Sequence, residues 1–89
     1  MKDHFERARW VKSHGEPLLE TKRFRIKYQN GLIRMFIISS RRWLYITPSK
    51  KHGYIRHRSM PNKGYVAVEK WLQEKLNHAI AEKELLGDE

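Results

Sequence analysis

The chain has 89 residues, a length that suits a single domain. It contains no cysteine, which excludes disulfide bonds, thiolate zinc sites and a cysteine nucleophile. Its formal net charge is +9, and no apolar run approaches the roughly 20 residues that a membrane-spanning helix needs. A soluble, basic, cytoplasmic protein is therefore the expected class.

The positive charge is concentrated in the middle of the chain. Residues 21–68 contain twelve Lys or Arg and no Asp or Glu, whereas residues 1–20 carry four of each sign. Residues 69–89 carry three basic and six acidic side chains. A folded segment that lacks carboxylates projects a field of one sign, which promotes association with polyanions.

The first predicted element is a helix within residues 1–15. Phe5, Ala8 and Val11 recur at three-residue spacing, as on one side of a helix. Gly15 and Pro17 follow, and both residue types are typical of a helix end.

Residues 21–47 predict a three-stranded antiparallel sheet. Apolar Phe24, Ile26 and Tyr28 alternate with basic side chains, which is the pattern of a half-buried strand. The dipeptide at residues 30–31, Asn-Gly, favours a two-residue hairpin turn into a second strand, Leu32 to Ile38. A third strand is predicted from Trp43 to Thr47, with Pro48 at its end.

The turns predict the register of this sheet. The two-residue turn pairs Phe24 with Ile37, and a four-residue loop at 39–42 would pair Ile37 with Leu44 and Met35 with Ile46. One face is then continuously apolar. Its members are Phe24, Ile26, Tyr28, Ile33, Met35, Ile37, Leu44 and Ile46.

The remaining chain predicts a basic loop and a long helix. Residues 48–64 have loop composition, with a short fourth strand at residues 54–58 as an option. Residues 66–86 show a stripe at helical spacing that includes Leu72 and Leu76 and suits the apolar sheet face. The predicted fold is a single α+β domain of order α-β-β-β-α, with the C-terminal helix packed on one sheet face.

The second predicted sheet face is basic and aromatic together, a composition that suits nucleic acid. Cationic groups bind phosphates, and flat aromatic rings stack with unpaired bases. The predicted function is therefore non-catalytic binding of DNA or RNA, through this face and the basic loop. The candidate binding residues are Arg23, Arg25, Lys27, Arg34, Arg41, Arg42, Trp43, Tyr45, Lys50, Lys51, Tyr54, Arg56 and Arg58.

An alternative for the same face is burial under the N-terminal helix. Phe36, Ile38 and Trp43 would then form a second small core beneath Phe5 and Trp10, because large apolar side chains are costly to expose. In that case binding would move to the loop and the sheet edge.

Two other functions fit the composition. A small basic chain without cysteine suits a phage or mobile-element protein that inhibits a host nucleic-acid-processing enzyme through an acidic surface or nucleic-acid channel. A metal-independent ribonuclease could use His52 or His57 as a base beside Lys51 or Arg56. The pattern predicts no catalytic residue, metal site, cofactor or membrane partner, and it leaves homodimer formation open.

The predicted outline also resembles known DNA-binding architectures. A three-stranded sheet followed by a helix, over residues 22–83, is similar to the arm-binding domains of tyrosine recombinases and to plant AP2-type domains. The resemblance implies a sheet laid on DNA. It rests on architecture without a sequence motif and therefore assigns no residue roles.

Overall fold

A computed structural model describes residues 2–58 and 64–86, and it shows a six-stranded antiparallel sheet with a helix at each end of the chain. The helices are α1 (Lys2–His14) and α2 (Lys70–Leu85). The strands are β1 (Leu19–Glu20), β2 (Phe24–Gln29), β3 (Leu32–Ile37), β4 (Arg42–Ser49), β5 (Gly53–His57) and β6 (Tyr65–Ala67). Each strand pairs with its sequence neighbours, so the spatial order is the chain order.

The first predicted hairpin is confirmed. Asn30 and Gly31 both have positive φ, 54° and 77°, as a type I′ turn requires. β2 and β3 therefore pair in the predicted register, with Ile26 opposite Met35 and Phe24 opposite Ile37. Apolar and basic residues alternate along β2, so a slip of one residue would put its apolar side chains on the face opposite to those of β3. The observed register keeps both sets on the same face.

The predicted three-stranded sheet is wrong, because three short strands extend it on both sides. β1 has two residues and β6 has three, too few to show an alternating pattern. β5 occupies much of the predicted basic loop, close to the fourth strand considered there. The three-strand outline shared with the DNA-binding domains named above therefore does not describe this chain. Residues 59–63 of that loop lie outside the described residues.

The predicted pairing of β3 with β4 is also wrong, by two residues. Met35 lies opposite Leu44, and Ile37 lies opposite Arg42. The turn therefore spans residues 38–41, where Arg41 has a φ of 60° and its N–H donates to the Ile37 carbonyl at 2.7 Å. A shift of two preserves the side-chain alternation, so the apolar residues remain on one face.

Pro48 lies inside β4 rather than at its end, since β4 continues to Ser49. The pairing of β3 with β4 stops at Ile33 and Ile46, so Pro48 extends past β3 and is paired with Tyr54 of β5. A residue without an N–H donor is tolerated where a strand has a neighbour on only one side.

The apolar sheet face and α2 form the core. α2 begins at Lys70 rather than at residue 66, because residues 65–67 pair with β5 as β6. Leu72 and Leu76 are fully buried against the sheet, together with Val68. The buried members contributed by the sheet are Phe24, Ile26, Ile33, Met35 and Ile46.

Candidate nucleic-acid interface

Helix α1 covers part of the sheet face that the sequence predicts to be basic and aromatic. Trp10 is buried there, with its ring centroid 5.5 Å from that of Phe36 and 5.9 Å from that of Trp43. Phe36 is buried and Trp43 is half-buried, whereas Phe5 of the same helix is 68% exposed. The covered arrangement weighed as an alternative is therefore the observed one, with Trp10 as the covering side chain.

The Arg25 side chain is enclosed under α1 and paired with two carboxylates. It is 3% exposed, and its Nη1 and Nη2 donate to the two Glu6 carboxylate oxygens at 3.0 and 2.6 Å. Its Nε donates to Glu20 at 3.2 Å, and its Cζ lies 5.1 Å from the Trp10 ring centroid. This guanidinium ties the helix to the sheet and presents no charge to a ligand.

Of these two carboxylates, Glu20 also binds a second arginine, and the pKa values of both lie below their usual value. Arg7 donates from Nε and Nη2 to Glu20 at 2.9 Å and from Nη2 to Glu16 at 3.3 Å. The hydrogen bond from Arg25 lowers the pKa of Glu6, and the hydrogen bond from Arg7 lowers that of Glu20. Acidic side chains of the first 20 residues are thus used internally.

Two more of the predicted binding residues are tied to the scaffold. The Lys27 ammonium is buried and donates to the Glu16 carbonyl at 3.2 Å, and burial lowers its pKa. The Arg34 guanidinium stacks on Trp43, with Cζ 4.6 Å from the ring centroid. A cation held over an indole contributes to stability and keeps part of its charge accessible.

Tyr45 is an exposed aromatic residue of this sheet face, at 38%. It lies opposite Arg34 on β3 and stacks on His57 of β5, with ring centroids 5.9 Å apart. His57 itself is buried and shares a 2.6 Å hydrogen bond with the Thr47 hydroxyl, while its Nδ1 is buried without a partner among the described residues.

Five of the predicted binding arginines lie, together with Lys22, towards one end of the sheet. β2 and β4 begin at this end and β3 finishes there, whereas β5 finishes short of it, opposite Tyr45. The side chain of Arg56, opposite Ile46, nevertheless lines the same groove as Lys22 and Arg23. We call this group the basic end. Its members are Lys22, Arg23, Arg41, Arg42, Arg56 and Arg58.

Within residues 2–58 and 64–86, no side chain of the basic end forms an ion pair with a described carboxylate. All six are exposed except Arg56, which is half-buried. The four ion pairs of the described chain involve only Arg7 and Arg25. The charge of the basic end is therefore not neutralised by an ion pair with a described carboxylate.

A groove runs beside the basic end, between the start of α2 and the sheet. It has a volume of about 810 Å³ and an apolar floor formed by Phe24, Ile37 and Leu44. Lys22, Arg23 and Arg56 line it together with Trp71 and Glu69 of the α2 start. We call it the aromatic groove. A second cleft of about 890 Å³, lined by residues that include Arg9 and Arg41, lies on the α1 side of the 38–41 turn.

The rest of the predicted set lies elsewhere. Lys50 and Lys51 are exposed in the β4–β5 turn, at the opposite end of β4 from Arg42. Seven residues of strand separate those ends, which corresponds to about 23 Å. Tyr54 packs against the apolar core, where burial raises its pKa. The basic loop predicted as one surface is therefore divided between two ends of the sheet.

The groups considered for ribonuclease chemistry lie at two separate places on the sheet. Arg56 and His57 are consecutive strand residues, so their side chains point to opposite faces of the sheet. His52 and Lys51 lie in the β4–β5 turn, at the far end of β5 from His57. Among the described residues, no three His, Asp or Glu side chains form a group that could hold a metal ion.

Lys22 and Trp71 belong to this surface and are absent from the binding residues predicted from the sequence. The pattern of α2 places Trp71 at the edge of the apolar stripe, a position that is compatible with core or surface. In the structure Trp71 is 45% exposed and stacks on Phe24, with ring centroids 6.3 Å apart and planes 25° apart. The position of Trp71 at the edge of the apolar stripe is the sequence feature that could have identified it as a surface residue.

No family model matches the sequence, and no curated protein or solved structure is significantly similar to it. Neither helix of the described chain has the length and apolar character needed to cross a membrane. The site must therefore be interpreted from its own geometry and charge.

Proposed function

We propose that this protein is a non-catalytic nucleic-acid-binding protein and that the basic end is its phosphate-binding surface. The observation that carries the proposal is a set of six basic side chains at and beside one end of the sheet, without a described carboxylate paired to any of them. The proposal includes a cytoplasmic location, where a nucleic-acid partner is accessible.

The residue types at the basic end support a phosphate partner. Five of its six members are arginines, whose planar guanidinium can donate two parallel hydrogen bonds to a phosphate. They also lie on neighbouring turns and strands of one sheet, so several phosphates of a single backbone can be bound together. Neutralising several phosphates releases counterions, and this release supplies most of the affinity of sequence-independent binding.

Some of the binding residues predicted from the sequence are not available on the surface of the folded protein. Arg25 and Lys27 are buried, and Tyr54 packs into the core. The proposal therefore uses the basic end, with Tyr45 and Arg34 at the margin of the covered face. It assigns no base-specific contact to any residue.

The proposal is tested by binding of labelled duplex and single-stranded oligonucleotides at several salt concentrations. We expect the logarithm of the affinity to fall linearly with the logarithm of the salt concentration, with a slope of about −0.9 per phosphate neutralised on duplex DNA. A dissociation constant weaker than about 10⁻⁴ M for both oligonucleotides at low salt would refute nucleic-acid binding.

The location of the surface is tested with two double variants that remove the same charge from opposite ends of the sheet. Arg41→Ala with Arg42→Ala should reduce the salt slope by up to about 2, because each lost phosphate contact reduces it by about 1. Lys50→Ala with Lys51→Ala is the matched control and should retain most of the slope. Equal losses in the two variants would show that net charge alone, rather than the basic end, governs binding.

A further inference from the structure

The aromatic groove holds an exposed tryptophan on two rigid elements. Trp71 is the second residue of α2, and Phe24, on which it stacks, is a buried residue at the start of β2. Nearly half of the Trp71 side chain is exposed, so it contributes less stability through apolar burial than a fully buried tryptophan would in this small core. Such a side chain, held on a helix instead of a loop, is preorganised for contact with a ligand.

The groove combines this aromatic ring with cations from two strands. Arg23 precedes β2, Arg56 lies on β5, and both line the groove with Lys22. Arg56 projects from the α2 side of the sheet, since it is paired with core residue Ile46. An aromatic platform with cations around it is the composition that binds a base and its adjoining phosphates.

Glu69 is the one described carboxylate that lines the groove. It occupies the N-cap position of α2, and its side chain makes no capping hydrogen bond. Its charge disfavours phosphates beside the α2 start. Phosphates are therefore expected on the opposite side of the groove, near Lys22 and Arg23.

We propose that the aromatic groove binds an unpaired base of single-stranded nucleic acid, stacked on the Trp71 indole, with the flanking phosphates at Lys22 and Arg23. This inference rests on the proposed function and specifies the form of the ligand. In a duplex the bases are stacked on each other and cannot reach the indole. Duplex binding would therefore use the cations of the basic end alone, and only a single strand would use Trp71.

The test compares Trp71→Ala with the wild-type chain on a single-stranded oligonucleotide and on a duplex of the same length. Loss of one base–aromatic stack corresponds to a fall of between about 5-fold and 150-fold in single-strand affinity. Duplex affinity should stay within about twofold. Trp71→Phe should recover much of the loss, because the stacking requires an aromatic ring and not the indole N–H.

Two further variants serve as controls. Leu85→Ala removes an exposed apolar side chain from the other end of α2 and should change neither affinity. Glu69→Gln removes the groove carboxylate and should raise single-strand affinity by about two- to fivefold. Thermal unfolding of each variant confirms that it is folded under the binding conditions.

The outcomes separate the inference from the proposed function. If the wild-type chain binds neither oligonucleotide, nucleic-acid binding fails and the inference fails with it. If it binds duplex and Trp71→Ala leaves single-strand affinity unchanged, or lowers both affinities equally, only the role of the groove is overturned. A selective loss for the single strand, recovered by phenylalanine, supports it.

Discussion

Arginines at two places on the same sheet have different environments. Arg25, in the middle of the covered face, is enclosed by Trp10 and paired with Glu6 and Glu20. Arg41 and Arg42, at the end of the sheet, are exposed and have no ion pair with a described carboxylate. The comparison shows that the charge of a sequence segment is not the charge of a surface, because folding brings acids from outside the segment.

The strongest test of this difference is a pair of stability measurements. Arg25→Met removes three charge-assisted hydrogen bonds and should lower the free energy of unfolding by about 2–4 kcal/mol, since the two carboxylates it leaves are only partly solvated. Arg23→Met, two residues earlier and exposed, should change it by less than about 0.5 kcal/mol. Urea unfolding at pH 7 measures both.

Similar losses in Arg25→Met and Arg23→Met would remove the distinction between a structural and a surface arginine. A loss of stability confined to Arg25→Met, together with unchanged duplex binding, would show that Arg25 stabilises the fold and does not contact nucleic acid.

The paired carboxylates predict the acid side of the stability profile. In the folded protein the pKa values of Glu6 and Glu20 lie below the ordinary value of 4.5, so the unfolded chain binds their protons first as pH falls. Their contribution is complete at pH 7 and is lost as pH decreases from about 4.5 through the folded-state values. Thermal unfolding between pH 7 and pH 3 should therefore show a falling midpoint.

The same profile measured on Arg25→Met provides the control. The hydrogen bond from Arg25 is the largest cause of the lowered pKa of Glu6. The Arg25→Met variant lacks this bond and should therefore lose less stability over this pH range than the wild-type chain. An identical acid dependence in the two proteins would argue against the ion pair as its source.

A smaller effect than that of Arg25 is predicted for Arg34, which lies on β3 opposite Lys27 and Tyr45. Arg34→Met removes the cation held over Trp43 and should lower the free energy of unfolding by about 0.5–1 kcal/mol. A double-mutant cycle with Trp43→Leu isolates that coupling from other effects of each change. A coupling energy near zero would leave Arg34 free to act as a surface cation.

Much of the central sheet could be predicted from local patterns. The alternation of β2 and the Asn30-Gly31 turn specify the first hairpin and its register, which the structure confirms. The apolar stripe of α2 correctly predicts Leu72 and Leu76 as its buried face. These features depend on residues that are close in sequence, where spacing alone decides the geometry.

The remaining errors have physical causes that the sequence does not display locally. The 38–41 turn places Arg41 at positive φ, and that choice moved β3 against β4 by two residues from the prediction. β1 and β6 are too short to carry a pattern and form only because a neighbouring strand offers hydrogen bonds. The pairing of Glu6 with Arg25 joins residues 19 positions apart and could not be read from spacing.

The strand order β1-β2-β3-β4-β5-β6 has a kinetic consequence. Each strand pairs with the strand before it in the chain, so the loops that must close before native hydrogen bonds form are short. The loss of chain entropy on closing them is therefore small. The Asn30-Gly31 hairpin is the natural nucleus, and the other strands can be added to it in turn. Folding should therefore be faster than in a β-sandwich of equal length, whose strands must find partners far along the chain.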